Sequence, residues 1–111
     1  MIPVQIKVYG AFSPAGEGVA ARVAAAGRGA IGQDEPWLYR EGDLLRISFE
    51  GIWFPWEDVW DALREALDPA ARGKLDVLDL DAWTLTRHTL DEQGAHVSTR
   101  PLNHVLDYSG H

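Results

Sequence analysis

The chain predicts an α+β fold, a ferredoxin-like split βαβ two-layer sandwich of order βαββαβ with an added C-terminal β-hairpin and a short helical tail. Three observations carry this expectation. Apolar and polar residues alternate from Val4 to Tyr9, the period of a half-buried strand. Trp56, Val59, Trp60, Leu63, Ala66 and Leu67 recur at three- and four-residue spacing, the apolar stripe of an amphipathic helix. Two strand-like stretches are each broken by a turn ending in glycine, Tyr39-Arg40-Glu41-Gly42 and Asp91-Glu92-Gln93-Gly94. Elements in this order place two helices on one face of an antiparallel sheet.

The elements follow in sequence. The first strand runs from Val4 and is expected to stop at Gly10. Ser13 then offers a helix N-cap, with Pro14 at the first helical position, where its missing N–H costs nothing. This alanine-rich helix reaches about Ala26 and ends in a loop carrying Gly27, Gly29 and Gly32. A hairpin joins Trp37–Arg40 to Asp43–Glu50. A type I turn with Gly42 in the left-handed bulge position pairs Trp37 with Leu45 and gathers Trp37, Tyr39, Leu45, Ile47 and Phe49 on one face. Pro55 opens the second helix and Pro69 follows its end. The opposite face of that helix carries Glu57, Asp58 and Asp61 near its N-terminus, where the helix dipole favours acids. Leu75–Leu80 reads as the next strand, with Asp76, Asp79 and Asp81 breaking its alternation. Ala82–Leu90 and Ala95–Arg100 form the last hairpin. The same turn-plus-bulge register pairs Thr89 with Val97 and Arg87 with Thr99. It puts Trp83, Leu85, Thr89 and Val97 on one face, and Thr84, Thr86, His88, His96, Ser98 and Arg100 on the other. Leu102–Tyr108 is expected to form a short helical segment.

Composition narrows the function classes. The 111 residues make one domain, 1–111. They include no cysteine, which removes disulfides, thiolate metal sites and a cysteine nucleophile. A net charge of −7 argues against broad binding to nucleic acid phosphates. No apolar run is long enough to cross a bilayer, and the start lacks the pattern of a secretory signal. A cytoplasmic location is expected, with no nucleic acid and no membrane as partner. The acids crowd residues 50–81, a solvated face or a docking surface for a basic partner.

No motif commits the chain to catalysis. The glycine-bearing loop Gly10–Gly18 lies between a strand and a helix, but has neither a Gly-Lys-Ser/Thr ending nor a Gly-x-Gly-x-x-Gly spacing, and Glu17 repels an anion. His88 and His96, brought to one face by the expected register, could hold a metal or a ligand together with Arg100, yet a second pair of ligands is missing. Asp76, Asp79 and Asp81 do not match a calcium loop. No cofactor is expected, and no catalytic residue is assigned.

The aromatic residues are the most unusual feature. Of five tryptophans, three fall within Trp53-Phe54-Pro55-Trp56-Glu57-Asp58-Val59-Trp60. Trp56 and Trp60 lie on the apolar helix stripe. Trp53 and Phe54 cannot both turn inward at the same corner, so one of them is expected at the surface as an interaction anchor. The expected function is therefore a small, acidic, non-enzymatic protein–protein interaction module, self-associating as a homodimer. Open edges of a small sheet favour pairing across a twofold axis. Two alternatives stand beside it. One is a small ligand- or metal-binding protein or enzyme using His88, His96 and Arg100, and the other is an acidic, antitoxin-like inhibitor of a basic protein.

Overall fold

Alternating apolar residues on three central strands make the floor of the core. In the computed structural model, which describes residues 4–102, these are β1 (Ile6–Ser13), β3 (Leu44–Gly51) and β4 (Arg72–Asp79). Val8 and Phe12 of β1, Leu45, Ile47 and Phe49 of β3, and Leu75 and Val77 of β4 share one face and are buried. Two helices cover that face. α1 (Glu17–Ala26) contributes Val23, and α2 (Trp56–Ala66) contributes Val59, Trp60 and Leu63. With β2 (Leu38–Glu41), β5 (Thr84–Asp91) and β6 (Gly94–Pro101), the strands form a six-stranded antiparallel sheet of order β2-β3-β1-β4-β5-β6. The fold is thus α+β, as the sequence patterns predict. Neither helix is long and apolar enough to cross a membrane among the described residues.

The stripe on α2 is seated as expected, with Val59, Trp60, Leu63 and the following Leu67 buried. The start of the chain differs. β1 does not stop at Gly10 but continues through Phe12, which is fully buried. Gly10 faces Ile47 and Leu75 across the sheet, and a Cβ there would come within 2.9 Å of the Leu75 side chain. The glycine marks close packing rather than a strand end. Ser13 is paired with Arg72 in the sheet, so it is not the helix cap; α1 begins at Glu17 after Gly16.

Both hairpin registers differ from expectation, the first by three residues, since Leu45 pairs with Arg40 and not Trp37, and the second by one, and any odd slip exchanges the faces. In the first, Glu41 pairs with Leu44 across a two-residue turn. Gly42 has φ +62°, the positive value that a type II′ turn requires at its first central position. Leu38 and Arg40 therefore face the helices, and Tyr39 faces away. Trp37 is not paired with Leu45. It lies just before β2, and its ring reaches the core by another route, meeting Phe54 edge-on at 5.0 Å and lying over Gly27. In the second hairpin Asp91 pairs with Gly94, so His88 lies opposite Val97 and Thr89 opposite His96. The pairing of β5 with β4 fixes this choice, because it sets His88 beside Leu75 and Leu90 beside Gly73 under the helices. The expected helical segment Leu102–Tyr108 falls, after its first residue, outside the described residues.

The two layers carry opposite charge. Six of the ten basic side chains, Lys7, Arg46, Arg72, Lys74, Arg87 and Arg100, lie on the sheet face away from the helices. Glu41, Glu50, Asp76 and Asp91 share that face. The helix layer carries acids on its exposed positions, among them Glu57, Asp58, Asp61 and Glu65.

Candidate functional site

β6 is the most exposed element of the sheet. All eight of its residues are exposed, and it packs chiefly on β5. The helix cover ends at β5, where Trp56 and Trp60 of α2 lie on His88, and no residue of β6 is buried beneath it. Val97 at its centre is 63% exposed, and it shares the face of His88 and not, as expected, that of Leu85 and Thr89. The backbone of β6 alternates between bonds to β5 and bonds to nothing in the described chain. The Leu102 amide donates to the Trp83 carbonyl, which makes that pair a hydrogen-bonded one. By the two-residue alternation of antiparallel ladders, Arg100, Ser98, His96 and Gly94 also turn their N–H and C=O toward β5. Ala95, Val97 and Thr99 turn theirs to the open edge. Pro101, which has no N–H, falls in the outward-facing set, where a strand tolerates it.

The other edge is guarded. β2 has only four residues, and its outward-turned positions are Leu38 and Arg40. Arg40 lies over the start of α1, donating to the Ala15 carbonyl and lying 3.7 Å from Glu17.

A second exposed feature is apolar. Of the two expected anchors, Trp53 is 50% exposed and Phe54 is 1% exposed. Trp53 bridges to Ile31, itself 54% exposed, through backbone hydrogen bonds, and its ring lies over Gly29. Phe54 is a core residue, held between Trp37 and Phe49 at ring distances of 5.0 and 4.9 Å. The partnership of Trp53 with Ile31 was not visible in the sequence, because it depends on a glycine-bearing loop folding back against the end of β3.

The expected ligand face is divided between two sides of the sheet. His88 is buried on the helix side, its ring 5.1 Å from Trp56 and 4.9 Å from Trp60. Its Nε2 has no hydrogen-bond partner. Burial pushes its pKa below the ordinary histidine value, while the Asp76 carboxylate acts the other way. His96 and Arg100 lie on the opposite face. His96 Nε2 is 3.1 Å from Asp91 Oδ1. The Gln93 amide, donating to Asp91, is the main cause that holds this carboxyl below the usual range, with His96 adding to it. The register shift separates the two imidazoles that sequence spacing had joined. Beside His88, a cavity of about 270 Å³ opens between α2 and the β5–β6 hairpin, lined by Trp60, Arg64, Ala95, His96 and Val97. No three His, Asp or Glu side chains among the described residues are grouped to hold a metal ion.

The aspartates of β4 are taken up by structure. Asp76 accepts two hydrogen bonds from Arg87 across the strands, at 2.7 and 2.9 Å. This raises the pKa of the guanidinium and fixes the carboxylate in a two-pronged pair. Asp79 accepts from the amides of Asp81 and Ala82 and closes the turn after β4. On the open face the Tyr9 hydroxyl donates to Glu50, and burial with that bond pushes its pKa up to about 12.

Comparison with protein-family models, curated proteins and solved structures finds no match for this chain. The reading of its function therefore rests on its own surfaces.

Proposed function

We propose that the domain is a non-enzymatic protein–protein interaction module that associates with itself. The observation that carries this reading is β6, an eight-residue edge strand that is exposed throughout. Natural sheets protect such edges with charge, bulges, short strands or covering elements, and β2 at the opposite edge is protected by two of these. The strand order supports a ferredoxin-like βαββαβ core in the segment β1 to β4, with the hairpin β5–β6 added beside β4. In that arrangement β6, the outer strand of the added hairpin, is the part that extends beyond the cover of the helices.

The exposed pair Trp53 and Ile31 favours a second reading, in which a different protein docks at the corner before α2. The two readings part in sedimentation velocity on purified protein from about 1 to 200 µM, a span reaching weak dimers. Self-association appears as a concentration-dependent rise toward the dimer. A monomer across the whole range overturns it and leaves the Trp53 corner as the surface to pursue. Trp53→Ser then tests that corner by loss of partner capture at unchanged oligomeric state.

A further inference from the structure

We propose that the partner at the β6 edge is a second copy of β6, antiparallel to the first, with the twofold axis passing at Val97. This rests on the self-association reading and goes further, naming the register. The edge offers the N–H and C=O of Ala95, Val97 and Thr99, and the C=O alone of Pro101. A closed pair requires the strand to be complementary to itself. An axis at Val97 sets Val97 against Val97 of the second copy, and Ala95 against Thr99 in both directions. Each of these is a hydrogen-bonded pair that exchanges two bonds, so every outward N–H of the strand's central stretch is used. An axis at Ser98 sets Ala95 against Pro101, which has no N–H to return. It also places His96 opposite Arg100, a clash of cations whenever the imidazole is protonated. An axis at His96 leaves Thr99 opposite the turn. The axis at Val97 makes as many bonds as the axis at Ser98, but all within complete two-bond pairs, and it puts Arg100 opposite Gly94, where no charge opposes it. It also joins two Val97 side chains that each monomer leaves in water.

The helices do not cover this edge: α2 reaches as far as β5, where Trp56 and Trp60 lie on His88, and every residue of β6 beyond it is exposed. The pairing joins two six-stranded sheets edge to edge, with both helix layers on the same side. It extends the floor of each cavity beside His88 with the Val97 and Thr99 of the second copy.

Crosslinking tests the register, because the chain has no cysteine of its own. Across a hydrogen-bonded antiparallel pair the Cα atoms stand about 5.5 Å apart, within the span of a disulfide. Val97→Cys is expected to form a covalent dimer with diamide as oxidant. Ala95→Cys and Thr99→Cys are each expected to stay uncrosslinked alone and to crosslink when mixed. Ser98→Cys alone is expected to stay uncrosslinked, its two copies lying more than about 7 Å apart. Two further variants avoid oxidation. Val97→Pro removes an N–H that points away from β5, so the fold is kept and the dimer weakens by about tenfold or more. Val97→Lys sets two ammonium groups against each other at the axis and has the same effect. Circular dichroism at low concentration confirms that both variants fold. Dimers that persist in both variants, or that crosslink through Ser98→Cys instead of Val97→Cys, overturn the proposed register while self-association stands. Wild-type protein that stays monomeric overturns both.

Discussion

Replacing Phe54 with alanine tests the corner that joins the end of β3 to α2. Phe54 is almost wholly buried, and its ring lies at 5.0 Å from Trp37 and 4.9 Å from Phe49, both within the range of favourable aromatic pairs. Truncation removes the transfer free energy of the ring and leaves a cavity between two rigid neighbours that cannot close over it. The expected loss is about 3–5 kcal/mol, toward the upper end because two aromatic contacts go with the ring. Against a total stability of about 5–15 kcal/mol for a domain of this kind, that is a large share. The corresponding fall in melting temperature is about 15–30 °C. Phe54→Leu, which keeps much of the volume, should lose only about 1–2 kcal/mol. Urea unfolding followed by circular dichroism measures both, run at two protein concentrations so that stability gained from association is seen separately. A loss below about 1 kcal/mol for Phe54→Ala would place the ring at the surface and refute the packing of Trp37, Phe49 and Phe54.

Two further predictions concern β4 and β5. A Cβ at Gly73 would stand 2.1 Å from the Ala11 carbonyl oxygen, and backbone cannot move aside as a side chain can; Gly73→Ala should therefore cost about 3 kcal/mol in urea unfolding, and a neutral result would count against the β1–β4 register. Burial lowers the pKa of His88, so the unfolded chain binds a proton that the folded one resists. The stability from this group is complete above about pH 6.5 and is lost as pH falls from there through the folded pKa. His88→Phe should flatten that part of the stability–pH curve between pH 7 and pH 5, and parallel curves for the two proteins would remove His88 as its source.

What could be read from the sequence and what could not divides along a physical line. The α2 stripe was legible because eleven residues of helix repeat one period, and each apolar residue repeats the same message. The hairpins were legible as hairpins but not in register. Trp37 misled the first, since a large apolar residue beside a strand need not obey the strand's alternation when it can reach the core from its end. Leu85 and Leu90 misled the second, because they fall on opposite faces and leave β5 without a single apolar side. Its facing is decided by its pairing with β4, a separate strand, and the pattern within β5 does not contain it. The separation of His88 from His96 follows from that one-residue difference. The exposure of one member of Trp53-Phe54 was legible from crowding. Which member turns outward depends on Phe49 and Trp37, which approach from other strands. The open edge was anticipated from the terminal hairpin, whereas the outward set Ala95, Val97 and Thr99 emerges only with the register.

The separation of charge between the two layers gives the molecule an electric direction. A net charge of −7 alone would make copies repel from every side. With basic side chains gathered beneath the sheet and acids over the helices, the force between copies depends on how they meet. Sheet face toward helix layer is attractive, and such stacking has no natural end, because each added copy presents the same two faces again. Edge-to-edge pairing closes after two. Salt separates these modes, since the Debye length of about 8 Å at physiological ionic strength damps the long-range attraction, while backbone hydrogen bonds at β6 are short-range. The orientation of the twofold axis adds a last consequence. In the proposed pair the axis runs perpendicular to the sheet, so the two charge separations would add along it instead of cancelling, and that pair would present one broad basic side and one broad acidic side to whatever it meets.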